Sequence, residues 1–141
     1  MNGFLLDTNC ISELLSLKPE PRVLSWMEAA DEAMLYLSVL TIGEIRKGVA
    51  GLAQGKRRLR LEHWLAVHLP DRFAGRILSV DASIADRWGS ITAAAKRTGR
   101  TLSVIDSLLA ATAIEHNLTV VSRNASDFTY SQAQALDPWE A

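Results

Sequence analysis

Asp7, Glu44, Asp106 and Asp127 are the residues of this 141-residue chain best placed to do chemistry, because each falls at a junction between elements. Asp7 follows the apolar run Phe4-Leu5-Leu6, Glu44 lies early in a helical pattern, Asp106 stands at another helix start, and Asp127 comes just past Thr119-Val120-Val121. Carboxylates sent to strand ends and helix starts build an acidic pocket that repels itself without a cation. No histidine or cysteine cluster accompanies them, so the natural occupant is an oxygen-liganded Mg²⁺ or Mn²⁺ ion. Carboxylate-held divalent ions lower the pKa of a bound water, align it against phosphorus and neutralise the charge on the leaving oxygen. The chemistry these four residues point to, as catalytic groups and metal ligands at once, is phosphodiester hydrolysis.

Taken one at a time, the acids have plainer roles open to them. Asp7 could cap the first helix, Glu44 could pair with Lys47, Asp106 could be an N-cap and Asp127 could make an Asx-turn. Only their joint placement favours a site. Thr8 beside Asp7, and Ser122 and Asn124 after the last clear strand, are candidates to support it by orienting water or phosphate, and Arg123 could meet a backbone phosphate.

The elements that must position these residues alternate. Gly3 to Leu6 reads as a short buried strand, with Thr8 or Asn9 able to cap a helix from about Cys10 to Leu17. Pro21 to about Ala30 reads as a second helix and Met34 to Val39 as a strand, a βαβ-like crossover. Thr41 can cap a helix running through Gly48 toward Leu52, and a further amphipathic helix extends from Gly55 to about Leu69, ahead of Pro70, as its hairpin partner. Ile77 to Val80 is a strand candidate, Asp81 a good N-cap, and Ala82 to Thr98 a long helix closed by Gly99. Asp106 to His116 is apolar almost all round, which implies burial on several sides, and it meets the strand Thr119 to Val121. This order predicts an α/β fold: a parallel sheet with helices on both faces, whose function gathers beyond the carboxyl ends of its strands. After Phe128 the pattern fades, and a loosely ordered tail is expected.

Size and composition set the frame. The chain suits one domain, residues 1–141, and 48% hydrophobic with 22% charged residues is the balance of a soluble globular protein. No apolar run approaches the length of a membrane span, and Asp7 interrupts the N-terminal one, so a cytoplasmic protein without anchor or signal peptide is expected. Cys10, the single cysteine, reads as a small buried side chain. A net charge of −1 is weak for gripping duplex nucleic acid, so any such contact needs a local basic patch. Lys56, Arg57, Arg58 and Arg60 form one, although the solvated face of an amphipathic helix is the preferred reading. His63, His68 and His116 are scattered, and Trp26, Trp64, Trp88 and Trp139 are read as packing residues rather than base-stacking ones.

The motifs then become recognisable. Leu6-Asp7-Thr8-Asn9 with Ile11-Ser12-Glu13, Ser38 through Val49, Asp106 through Ala113, and Ser122-Arg123-Asn124-Ala125-Ser126-Asp127-Phe128 resemble the PIN-domain toxins of the VapC type, the FitB-like branch most closely. The blocks keep the family's order over residues 6 to 128. The resemblance implies a PIN fold, Mg²⁺- or Mn²⁺-dependent endoribonuclease activity on RNA, and a VapB-type antitoxin that blocks it, the pair assembling as a hetero-oligomer on operator DNA. It matches Asp7, Glu44, Asp106 and Asp127 to the family's acidic quartet, with Asp7 and Asp106 as first ligands and Glu44 and Asp127 acting through water or on a second ion. Ser122 stands where Thr is common, which keeps the hydroxyl. Asp137-Pro138-Trp139 stands where Asn-Pro-Trp is frequent. An antitoxin's apolar segment would pack on exposed helices near Trp26 or Trp64, its basic or polar tail entering the acidic pocket. A homodimer is also expected, since apolar residues around Ala82 to Ala95 and after Asp106 exceed what one core requires.

Two other classes start from the same residues. A strand-end Asp followed by Thr8 also opens aspartyl-phosphate phosphotransferase sites, but Asn9 replaces the second Asp that would serve as general acid. A non-catalytic, response-regulator-like module or an inactive relative would use the acids only to bind a cation; retention of all four argues against inactivity.

Overall fold

The computed structural model describes residues 2–140. Five strands, β1 (Phe4–Leu6), β2 (Leu35–Ser38), β3 (Ile77–Leu78), β4 (Thr119–Val121) and β5 (Ala135–Leu136), form one sheet in the order β3-β2-β1-β4-β5, every pairing parallel. β1 is central, with Leu5 opposite Tyr36 on one side and Val120 on the other.

Alternation along the strands splits the core into two layers. Leu6, Leu35, Leu37 and Val121 pack with Cys10, Ile11, Val23 and Phe73 beneath α1 (Thr8–Leu14), α2 (Pro21–Ala29) and α3 (Val39–Ala50). Leu5 and Val120 face the other way, onto Ile84, Ile91, Leu109 and Phe128 of α6 (Ala82–Arg97), α7 (Val104–Glu115) and a 3₁₀ helix over Ala125–Ser131. Helices thus cover both faces, as the strand-helix alternation requires. Trp26, Trp64 and Trp139 pack against the first layer and Trp88 against the second, so packing is what the tryptophans do.

The sequence expectations need four adjustments. Ser38, not Thr41, caps α3, because Ser38 is extended (ψ 151°) and accepts from the Leu40 N–H at 3.0 Å, while Thr41 lies inside the first helical turn and is buried. Asp7 itself, not Thr8 or Asn9, caps α1. The helix after Gly55 does not stop ahead of Pro70: α4 (Lys56–His63) passes through a π-helical stretch, Trp64–His68, into α5 (Leu69–Arg72). The Leu69 N–H reaches back five residues to the Trp64 carbonyl, and this widened turn accommodates a proline ring that a regular α-turn would reject. Finally, the tail is ordered, its β5 pairing with β4 and its Trp139 in the first core layer.

Gly3 illustrates how tightly β1 is held. A Cβ built there would sit 2.5 Å from the Met34 carbonyl oxygen and 2.9 Å from Tyr36 Cε1, so backbone would have to move. Gly3→Ala is expected to lower stability by about 1–3 kcal/mol, the usual range for overpacking, visible as a shift in urea midpoint at constant slope. An unchanged midpoint would show that this edge of the sheet is loose.

Candidate active site

Asp7 leaves the carboxyl end of β1 at the point where the strand order reverses, with β2 to one side and β4 to the other. Crevices open at such switch points because the following helices run to opposite faces. Asp7 is only 7% exposed, and every hydrogen bond around it fixes the rotamer. One carboxylate oxygen accepts from the Thr8 N–H at 2.7 Å; the other accepts from Ser122 Oγ at 2.8 Å, with Asn9 Nδ2 at 3.5 Å. Asn9 in turn donates to Ser122 Oγ at 3.1 Å and accepts from the Arg123 N–H at 3.2 Å, so it stitches the ends of β1 and β4 together.

The other acids approach from separate elements. Glu44 sits on the second turn of α3 and accepts a short hydrogen bond from Thr8 Oγ1. Lys47, the partner considered in the sequence, forms no ion pair with it among the described residues; Thr8 takes that place. Asp106 lies in the first turn of α7, but Ser103 is the N-cap, accepting from the Asp106 N–H at 3.1 Å. Freed from capping, the Asp106 side chain can serve a site. Asp127 is exposed on the 3₁₀ helix, its N–H bonded to the Asn124 carbonyl at 2.9 Å.

Their electrostatics tie them together. Burial pushes the Asp7 carboxyl above its ordinary value, and the charges of Asp106 and Glu44 push it further, against the hydrogen bonds from Ser122 and Thr8. Burial likewise raises Asp106, opposed by Ser103 and reinforced by Asp127 and Glu44. Asp7 and Asp106 each therefore feel two other acids. They do not close into a cage: among the described residues no three His, Cys, Asp or Glu side chains surround one point. Asp106 and Asp127 line a cleft of about 430 Å³, while Glu44 and Thr8 open onto a second of about 220 Å³ bordered by α1, α3 and α4. Such a wide, all-oxygen donor set suits Mg²⁺ or Mn²⁺, which take one or two carboxylates and keep several waters, rather than Zn²⁺.

Among the supporting candidates, Thr8 and Ser122 are placed against the acids, and Asn124 contributes its backbone N–H to Ser122 Oγ at 3.0 Å. Asn9, read in the sequence as a cap candidate, a motif residue and the mark against a phosphotransferase, is in the structure a bridge between strand ends. The Leu6-Asp7-Thr8-Asn9 run carried the signal, but its partner Ser122 lies 113 residues away. Cys10 is buried against the Val121 carbonyl, and burial drives its thiol pKa strongly upward, which leaves it an inert packing group.

A parallel sheet with helices on both faces and an acidic cleft at its switch point defines a nuclease of the PIN class, and residues 4–129 match the PIN domain family model. The chain belongs to the PIN-domain family, in its VapC- and FitB-type group. It is 36% identical to the VapC ribonuclease Y4jK of Sinorhizobium fredii over 96% of this chain and 97% of that one. With the toxin FitB of Neisseria gonorrhoeae the identity is 38%, again over 96% and 97%. The crystal structure of FitAcB from Neisseria gonorrhoeae superposes with a TM-score of 0.94 at 38% identity, covering 98% of this chain and 99% of that one. A structure of FitAB bound to IR36 DNA fragment gives 0.92 at 37%, covering 96% and 95%. No helix among the described residues is long and apolar enough to cross a membrane.

Proposed function

We propose that this chain is the toxin of a type II toxin–antitoxin pair, an endoribonuclease that hydrolyses RNA phosphodiester bonds with Mg²⁺ or Mn²⁺ and is silenced by a VapB-type antitoxin. The observation that carries the reading is the setting of Asp7: buried at the switch point, locked by Thr8 and Ser122, and raised in pKa by burial and by two neighbouring acids. A rigid, self-repelling carboxylate group of this kind is poor protein architecture and good cation chemistry.

Asp7 and Asp106 would hold the ion directly, with Glu44 and Asp127 reaching it through water or helping to hold a second one. Bound there, the ion supplies Lewis acidity and an activated water at neutral pH. Ser122 and Asn9 keep Asp7 in one rotamer, and Thr8 does the same for Glu44. Arg123, exposed at the end of β4 and set 5.6 Å from the Trp139 ring, is available to a phosphate of the strand being cut. The same negative field attracts a basic side chain, which gives an antitoxin tail a way to displace the ion. The structures of FitAcB and of FitAB bound to a DNA fragment support a partner chain and assembly on DNA, and a homodimeric toxin is part of the same proposal.

Expression of the chain without its partner is expected to arrest growth of the native host and to yield RNA fragments. Co-expression of the antitoxin should restore growth. Equal growth of cells carrying the wild-type and Asp7→Asn forms would overturn the toxin reading.

A further inference from the structure

The cleft that holds Asp106 and Asp127 has a feature which metal binding does not use. Arg100, the one cation among its lining residues, lies with its guanidinium 4.1 Å from the centroid of the Tyr130 ring. Tyr130 is 46% exposed, a large aromatic surface left in water. Both residues are placed by helix terminations. α6 ends in a Schellman turn: the Gly99 N–H donates to the Lys96 carbonyl at 3.0 Å and the Arg100 N–H to the Ala95 carbonyl at 2.9 Å, with Gly99 at φ +76°. Tyr130 sits in the last turn of the 3₁₀ helix, which Gln132 closes at φ 69°. The backbones of the pair are therefore fixed beside the two acids, while both side chains stay exposed to solvent.

We propose that Arg100 and Tyr130 form a nucleotide subsite: Tyr130 stacks an unpaired base of the RNA strand, and Arg100 takes the adjoining phosphate. The proposal rests on the ribonuclease reading above. Bases splayed from single strands stack on aromatic rings and on guanidinium planes, and a lone cation beside two carboxylates gives the strand's phosphates a favourable place to enter an otherwise repelling cleft. A volume of about 430 Å³ lies in the range of small-ligand sites and can admit one nucleotide unit.

The test is binding of fluorescent single-stranded RNA, read by anisotropy in an Asp7→Asn background with Mn²⁺, so that RNA is held and not cut. Tyr130→Ala is expected to weaken Kd about tenfold, while Tyr130→Phe keeps it. Arg100→Ala should also weaken Kd and lower the slope of log Kd against log salt by about 0.7, the contribution of one phosphate on a single strand; Arg100→Lys should retain that slope. An RNA with an abasic link at the stacked position should bind the unsubstituted background as weakly as the full RNA binds Tyr130→Ala, with no further loss when the two are combined. Values of Kd within twofold of the background for both alanine variants would overturn the subsite, as would unchanged RNA binding accompanied by weakened antitoxin inhibition, which would assign the pair to the protein partner. Cleavage of the same RNA by the chain with Asp7 intact is scored separately. Cleavage without an effect of either variant sinks the subsite alone; base-dependent binding without cleavage sinks the ribonuclease reading alone.

Discussion

Asp7→Asn is expected to cut RNA cleavage at least about a thousandfold while the protein stays folded. Losing a proposed direct ligand would remove several kcal/mol of charge stabilisation from the transition state, and each 1.36 kcal/mol is a factor of ten. The fold should survive because Asn is as good an N-cap as Asp, so the Thr8 N–H keeps an acceptor. One carbonyl oxygen cannot also serve Ser122 in the same way, which costs about 1 kcal/mol for a hydrogen bond, but a buried charge with a raised pKa disappears at the same time. Single-turnover cleavage in Mn²⁺ with a chelator control, alongside circular dichroism, checks both halves. Cleavage persisting in chelator, or surviving in both Asp7→Asn and Asp106→Asn, would rule out the metal mechanism.

Neutralising a different acid should make the metal-free protein more stable. Burial and neighbouring acids raise Asp7 and Asp106 above the ordinary 3.8, so the folded state binds these protons more tightly than the unfolded chain does. The stability this contributes is fully present below about pH 3.8 and is lost as pH rises through the raised folded values, above which the whole cost is felt. Asp106→Asn is therefore expected to raise Tm in chelator at pH 7, with the Ser103 cap untouched because it takes the backbone N–H. Mn²⁺ at a hundred times its Kd should stabilise the wild type by about 2.7 kcal/mol, a rise of roughly 5 to 10 °C, and Asp106→Asn by less. Thermal melts with and without Mn²⁺ decide the matter: a variant that melts lower than wild type in chelator, together with no metal response in either, would mean that the acids are not one site.

Much of this architecture was legible in the sequence where one signal had no local rival. Phe4-Leu5-Leu6 and Thr119-Val120-Val121 are short apolar runs with turn residues beyond them, and both are central strands. Asp81 stands alone before a long helical pattern, and its side chain accepts from the Ile84 N–H at 3.0 Å. The cap of α3 falls at Ser38 and not Thr41 because that start offers two candidates one turn apart, and only backbone dihedrals choose between them. β5 left no pattern to find, since Ala135-Leu136 is too short to show alternation and its pairing with β4 comes from tertiary packing. Asp7 and Asp106 stood out because each lies at or beside an element start, whereas Glu44 on the second turn of α3 and Asp127 within the 3₁₀ helix stood out only by joint placement. What surrounds them was not: the Asn9 bridge to Ser122 and the Arg100 contact with Tyr130 span distant parts of the chain that no local periodicity connects.

The central position of β1 also fixes when the toxin becomes dangerous. β1 is made first, yet one of its two neighbours, β4, begins at Thr119, and the Ser122 hydroxyl that locks Asp7 is made still later, followed by Asp127. A ribosome that has not yet passed Asp127 has not made the proposed site in full. If these residues are the site, the nascent chain would gain activity only once β4 and the residues that follow it have emerged.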